Sequence, residues 1–367
     1  MDNSRSFKII LSALLAAACG GGDGGGGNPT DPGGFSADCT VPQNAIFDGG
    51  VARDAIPALT TPEVVPAANG GFLSDTARVL GMVVNGQARA YPFTVLWWHE
   101  VVNDTLGGEP ILVTYCPLTG SGIAFDPRVD GQVRNFGVSG LLYRTNLTMF
   151  DRTNETLWNQ MLLSGMCGLD RGKSLARMPI AETTWAAWRG LHPNTTVMTQ
   201  NTGFRDRPYG VYPYGAYKDE HNAFISFLTS TDRARITDVR PPKELAIGVL
   251  NGSSAKIYPF GVLRNAGAAT VVNDVVGATP VLITYVSSGN IALAFDRRVG
   301  GQTLTFDLVS AAPLQFTDQE TGSTWDATGV ATAGSMAGEQ LGQIADSYLA
   351  FWFAWSVYFP DRELFLN

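Results

Sequence analysis

The stretch Thr114–Asp126, TYCPLTGSGIAFD, returns as Thr284–Asp296, TYVSSGNIALAFD, with the same length and the same ends. Around it other segments repeat. VVNGQARAYPFTVL (83–96) answers VLNGSSAKIYPFGVL (249–263), and VVND occurs at 101–104 and again at 271–274. Asp151 and Trp158 answer Asp318 and Trp325, and WAAWRGLHP (185–193) answers WFAWSVYFP (352–360). Two copies of one unit follow, laid as 75–200 and 245–367, rather than a many-repeat solenoid.

Each unit reads mostly as short strands. ARVLGMVV and PILVTYC are apolar runs of strand length, and Asn-Gly at 85–86 and 251–252 and Asp-Gly at 130–131 are tight-turn signals. The spacing of Ile344, Tyr348, Phe351, Trp352 and Trp355 predicts a closing helix with one aromatic face. The expected fold is therefore α+β and β-dominated, as two tandem pseudo-equivalent lobes, each of short strands closed by an aromatic-rich helix.

The remaining segments differ in character. Residues 1–18 have a basic start (Arg5, Lys8) and an apolar run too short for the roughly 20 residues of a membrane span, the pattern of an export signal. The run ends at Cys19, followed by GGGDGGGG, which resembles a bacterial lipoprotein signal in which Cys19 becomes the lipidated first residue. Gly20 in place of Asp tilts that resemblance toward the periplasmic face of the outer membrane or the cell surface. The expected partner is thus the membrane, through a lipid anchor. Residues 19–43 read as the lipidated cysteine and a Gly-rich tether, and 44–74 as an N-terminal arm with no counterpart ahead of the second copy. The bridge 201–244 carries RPYGVYPYGAY (207–217), whose tyrosines alternate with Gly and Pro, so it is no helix; the rings cap the core or line a cleft.

Charge excludes one partner class. Asp and Glu outnumber Lys and Arg by 33 to 25 with no basic stripe, so nucleic acid is not expected. Beyond Cys19 three cysteines remain, and an exported chain in an oxidising compartment forms one bridge at most. Cys39 with Cys167 is the favoured pair, because Cys39 lies in the arm, where a staple helps, and Cys116 lies inside the repeat.

The copies differ in their chemistry. The first has His99, Glu100 and Cys116 where the second has Ala269, Thr270 and Val286, while the apolar frame and the Asn-Asp pair stay. Loss of imidazole, carboxylate and thiol together points to a site in the first copy. Cys116 can be a nucleophile with His99 as base and Glu100 orienting it, which would make an enzyme. Alternatively Cys116 and His99 can bind copper or zinc, or the group can bind a small ligand with Thr119 and Ser121 presenting hydroxyls and Asn103, Asp104, Ser139 and Asp151 as further ligand residues. Packing explains Cys to Val equally, and His99 can be a hydrogen-bonded core residue, which would leave a structural or partner-binding lipoprotein without a site. His192 reads as a helix cap and His221 as solvent-facing, and no paired-cysteine or paired-histidine metal spacing occurs. Asp151 opens DRTNETLW, oxygen-rich enough for a cation loop but more simply an Asx-stabilised turn.

AYPFTVLWWHEVVND, TYCPLTGSGIAFD, GVSGLLYRTNLTMFDRTNETLWNQ and GGVARDAIPAL resemble the bacterial family called domain of unknown function 3179. The likeness runs from about residue 44 onward and carries over to His99, Glu100, Asn103, Asp104, Cys116, Pro117, Thr119, Gly120, Ser121, Ser139, Gly140, Asp151 and Trp158. It implies an exported or membrane-attached protein and supplies no activity.

Overall fold

The structure, a computed structural model, describes residues 38–237, 240–252 and 254–366. The signal-like segment and Cys19 lie outside them. Strands dominate and the helices are short, so the chain is α+β with β in excess. The turn signals act as their chemistry requires. Asn85 and Gly86 both take positive φ (48° and 75°) between the paired residues Val84 and Gln87, and Asp130 and Gly131 (51° and 76°) do the same between Val129 and Gln132. These are the two left-handed positions of a type I′ hairpin turn.

From this first hairpin, Arg78–Val84 with Gln87–Pro92, the chain passes through the helix Phe93–His99 into the strands Val101–Leu106, Glu109–Cys116 and Ser121–Phe125. The same order recurs as Leu245–Asn251, Ser254–Pro259, the helix Phe260–Asn265, then Ala269–Val276, Thr279–Val286 and Ile291–Asp296. Registers recur too: Leu80 faces Tyr91 as Ile247 faces Tyr258, and Cys116 faces Ser121 as Val286 faces Ile291.

The repeated Asn-Asp pair is explained by these contacts. Asp104 accepts from Tyr91 (2.8 Å) and pairs with Arg89 (2.6 Å), as Asp274 accepts from Tyr258 (2.9 Å) and pairs with Lys256 (2.8 Å). Asn103 exchanges two hydrogen bonds with the Phe136 backbone, as Asn273 does with Phe306. Gly81 and Gly248 repeat for a steric reason. A Cβ on either would lie 2.3 Å from the indole of Trp188 or Trp355, the tryptophan that each closing helix lays on its hairpin.

The closing helix is shorter than its aromatic spacing predicts. Ser347–Phe351 is a strand paired with Leu245–Asn251, and only Trp352–Tyr358 is helical. Every residue of both elements is buried, and a run apolar on all sides carries no period that separates strand from helix. Ile344 lies ahead of both.

The halves share apolar contacts: Leu118, Tyr143 and Met161 belong to one buried cluster with Tyr348, Trp352 and Trp355. Phe351 N–H donates to the Thr119 carbonyl (2.8 Å), which ties the thiol hairpin to the last strand of the second half.

Among the described residues the arm has no counterpart in the second half and makes the two copies unequal. It adds Ile46–Asp48 to the strand Phe136–Tyr143, Leu59–Thr60 to Val101–Leu106 and Val64–Pro66 to Thr196–Met198, and the Cys39–Cys167 disulfide fastens its start. In the second half Phe306–Ala311 is an edge strand, so Leu308 is 40 % exposed where its equivalent Val138 is 3 % exposed.

Candidate functional site

His99 ends the helix Phe93–His99 and is fully buried. Its Nδ1 lies 2.7 Å from the Pro57 carbonyl, which can only accept, so Nδ1 carries the proton; Nε2 then accepts from the Tyr209 hydroxyl at 2.7 Å. Burial drives the imidazole down to about 4; the Pro57 hydrogen bond opposes this, and the Arg207 charge adds to it. Both nitrogens are committed, to the arm and to the bridge.

Cys116 is buried, with Sγ 3.9 Å from the Thr145 carbonyl. Burial, then the nearby Glu100 charge, pushes the thiol up to about 11, so at neutral pH it is protonated. The expected dyad of thiol and imidazole is thus not assembled: the thiol hydrogen-bonds to Thr145 and the imidazole to Pro57 and Tyr209. A sealed, protonated thiol without a base is a poor nucleophile and a poor metal ligand. Among the described residues no group of three or more His, Cys, Asp or Glu is placed to hold a metal ion.

Glu100 caps the same helix at positive φ (56°), and the residue is 6 % exposed. It lines a cavity of about 40 Å³ with Leu118, Leu147 and Tyr214, and among the described residues no hydrogen bond or ion pair reaches its carboxyl group. Burial alone raises it to about 8, so it is a neutral acid at pH 7.

Thr119 and Ser121 do not present their hydroxyls outward as expected. They bond to each other (2.8 Å); Ser121 donates to Gln160 Oε1 (2.7 Å), and Asn146 Nδ2 donates to Thr119 (2.8 Å) and to Gln160 (2.8 Å). Gln160 Nε2 donates to Thr114 (2.9 Å) and the Ser121 carbonyl (3.0 Å), and all five side chains are fully buried. A closed polar network of this kind fixes one geometry. The second half has Gly289, Ile291, Pro313 and Ala327 at the positions of Thr119, Ser121, Asn146 and Gln160, so the whole network goes with the thiol. Asn146 and Gln160 were not singled out by sequence; their joint replacement was the available signal.

The other expected ligand residues hold the frame. Asn103 and Asp104 make the strand contacts described above. Ser139 donates to the Thr148 carbonyl (2.5 Å), and Asp151 accepts from Thr153 N–H (2.7 Å) in an Asx turn. His192 caps the helix Trp185–Leu191 and packs on Trp188; His221 is exposed.

The bridge holds the thiol loop from outside. Tyr212 donates to the Pro117 carbonyl (3.2 Å) and Tyr217 to that of Leu118 (2.9 Å), so these rings cap the core and clamp the loop together. Beside the loop lies a cleft of about 420 Å³, lined by Tyr115 and Gly120 of the hairpin and by Ser287–Asn290, the equivalent turn of the second half. Gly120 and Asn290 occupy the same place, each at positive φ (60° and 46°). At Gly120 a Cβ would come within 2.7 Å of the Phe351 ring. Arg78 also lines the cleft, paired with Glu182 (2.7 Å) and donating to the carbonyls of Gly289 and Asn290. A larger groove of about 690 Å³ runs beside Trp188 and Leu341, but no residue of the thiol hairpin lines it.

A family model described as "Protein of unknown function (DUF3179)" matches residues 53–362. No curated protein and no solved structure matches the chain.

Proposed function

The chain belongs to the DUF3179 family, and on that premise we propose that it is an exported, lipid-anchored envelope protein that binds a small ligand in the cleft over the thiol hairpin. The observation that carries the binding role is the cleft itself. Its volume lies in the range of small-molecule sites, and residues of the two equivalent turns of the repeated unit both line it. Cys116, Glu100 and the Thr119–Ser121–Asn146–Gln160 network are then positioning residues that hold the hairpin wall, and His99 ties arm to bridge behind it. The joint replacement of these residues in the second half supports a division of labour, one half shaped by a polar interior and the other serving as the opposing wall.

Export is supported by the signal-like first 18 residues, by Cys19 at their end, and by a disulfide, which persists in oxidising compartments. The test uses the full chain in detergent. A thermal-shift panel of small organic acids, sugars, amino acids and nucleosides is expected to include a compound that raises the melting temperature of the native chain and leaves Ser288→Trp, which fills the cleft from an exposed position, unmoved. If no compound separates the two proteins, the cleft is not a ligand site. Labelled palmitate is expected to enter the native chain and not Cys19→Ser; equal labelling contradicts the anchor.

A further inference from the structure

We propose that the ligand of this cleft is a small organic anion, a carboxylate or phosphate group on an apolar, ring-sized body. The inference rests on the cleft being the ligand site and adds the chemical class. The chain as a whole is acidic, at −8, yet four cations line the cleft, Arg78, Lys218, Lys243 and Arg264, against two carboxylates, Glu182 and Glu220. Arg78 neutralises Glu182, which leaves Lys218, Lys243 and Arg264 against Glu220; Arg264 bonds to Tyr285 and lies in the fields of Glu220 and Glu244, so the two lysines are the charges to be accounted for.

Lys243 is 2 % exposed. Its ammonium donates to the carbonyls of Asn222 (2.6 Å) and Phe224 (2.8 Å) and stands 4.0 Å from the centre of the Tyr217 ring. Lys218 places its ammonium 4.9 Å from the Trp97 ring and 4.8 Å from that of Tyr212. Among the described residues neither ammonium is within ion-pair distance of a carboxylate; Asp219 is the acid whose field reaches both. The neighbouring Glu244 is taken by Arg240 (3.5 Å) and by the Gly261 N–H (2.6 Å).

Carbonyl dipoles hold the Lys243 charge and ring faces the Lys218 charge without cancelling either, and for the buried Lys243 a desolvated ammonium without a counter-charge is costly, while Lys218 stands at the exposed side of the cleft. Burial lowers the affinity of both lysines for their protons, the signature of a positive charge short of a partner. An anion between the walls supplies that partner. Five aromatic residues, Phe93, Trp97, Tyr115, Phe260 and Phe351, also line the cleft, which suits an apolar body behind the charged group.

Calorimetric titration of the full chain in detergent tests the class with four probes: phenyl phosphate, 4-hydroxybenzoate, inorganic phosphate and benzyl alcohol. At least one of the two aromatic anions is expected to bind saturably, and which one does identifies the head group. Benzyl alcohol is expected to bind at least tenfold more weakly, and inorganic phosphate more weakly than phenyl phosphate. Lys218→Met, at an exposed position, is expected to weaken the anion at least tenfold, with Lys218→Arg restoring most of it. The anion class is overturned if benzyl alcohol binds as tightly as the acids, if none of the probes binds, or if Lys218→Met leaves the affinity unchanged. Equal binding of inorganic and phenyl phosphate removes the apolar body from the proposal. A neutral compound that separates the native chain from Ser288→Trp in the thermal-shift panel would leave the cleft standing as a site while the anion class fell.

Discussion

Glu100→Gln is expected to leave stability unchanged near pH 4 and to raise it, relative to the native chain, by on the order of 5 kcal/mol above pH 8. The sign follows from the carboxyl group's two environments. In the unfolded chain it ionises near its ordinary value of 4.5, and in the folded chain near 8, because burial penalises its charge. Between those values the unfolded state has released a proton that the folded state still holds, so rising pH favours unfolding. The cost is absent below about 4.5, grows through the interval and levels off above about 8. Glutamine has nearly the same shape and no charge to desolvate, so its variant lacks this slope. Guanidinium unfolding of both proteins across the pH range reads the difference directly. Parallel profiles would mean that Glu100 ionises as a solvated acid and that its cavity is open. His99 adds a slope of opposite sense, since its imidazole is held neutral down to about 4, and stability falls as the pH drops from 6.5 toward that value. The Glu100 comparison cancels it, because both proteins carry His99.

Removing the bridge between Cys39 and Cys167 is expected to cost about 3 to 5 kcal/mol. The two cysteines are 128 residues apart in sequence, and cross-linking so long a loop withdraws much entropy from the unfolded chain. The loss has a local consequence as well. Cys39 anchors the start of the arm, and the arm buries the edges of Phe136–Tyr143 and Val101–Leu106 and presents Pro57 to His99. Chemical denaturation of the Cys39→Ser, Cys167→Ser double variant, compared with the native chain without reductant, measures the total. Faster amide exchange confined to the arm and to Ser164–Cys167 is the expected local sign. A midpoint unchanged from the native chain would contradict the bridge's role.

Much of the frame was legible in the sequence because its signals are local. Asn85-Gly86 and Asp130-Gly131 demand positive φ at two successive positions, and few other structures satisfy that. The recurrence of Asn-Asp was legible as a pattern, although its reason was not. Asp104 answers Arg89 and Tyr91, and Asn103 answers Phe136, a partner 33 residues on. The direction of the Thr119 and Ser121 hydroxyls was misread because it is set by Asn146 and Gln160, from strands that the loop's own sequence says nothing about. The cleft was invisible for the same reason. Its cations come from positions 78, 218, 243 and 264, and only folding brings them to one cleft.

Amide hydrogen exchange of the full chain with saturating phenyl phosphate tests the central claim most directly, because the two walls of the cleft are far apart in sequence. Slowed exchange is expected in both Tyr115–Ser121 and Ser287–Asn290, with the Lys218 segment following. Protection confined to the groove beside Trp188 and Leu341, or no change at either turn, would contradict a ligand held between the equivalent hairpins of the two halves.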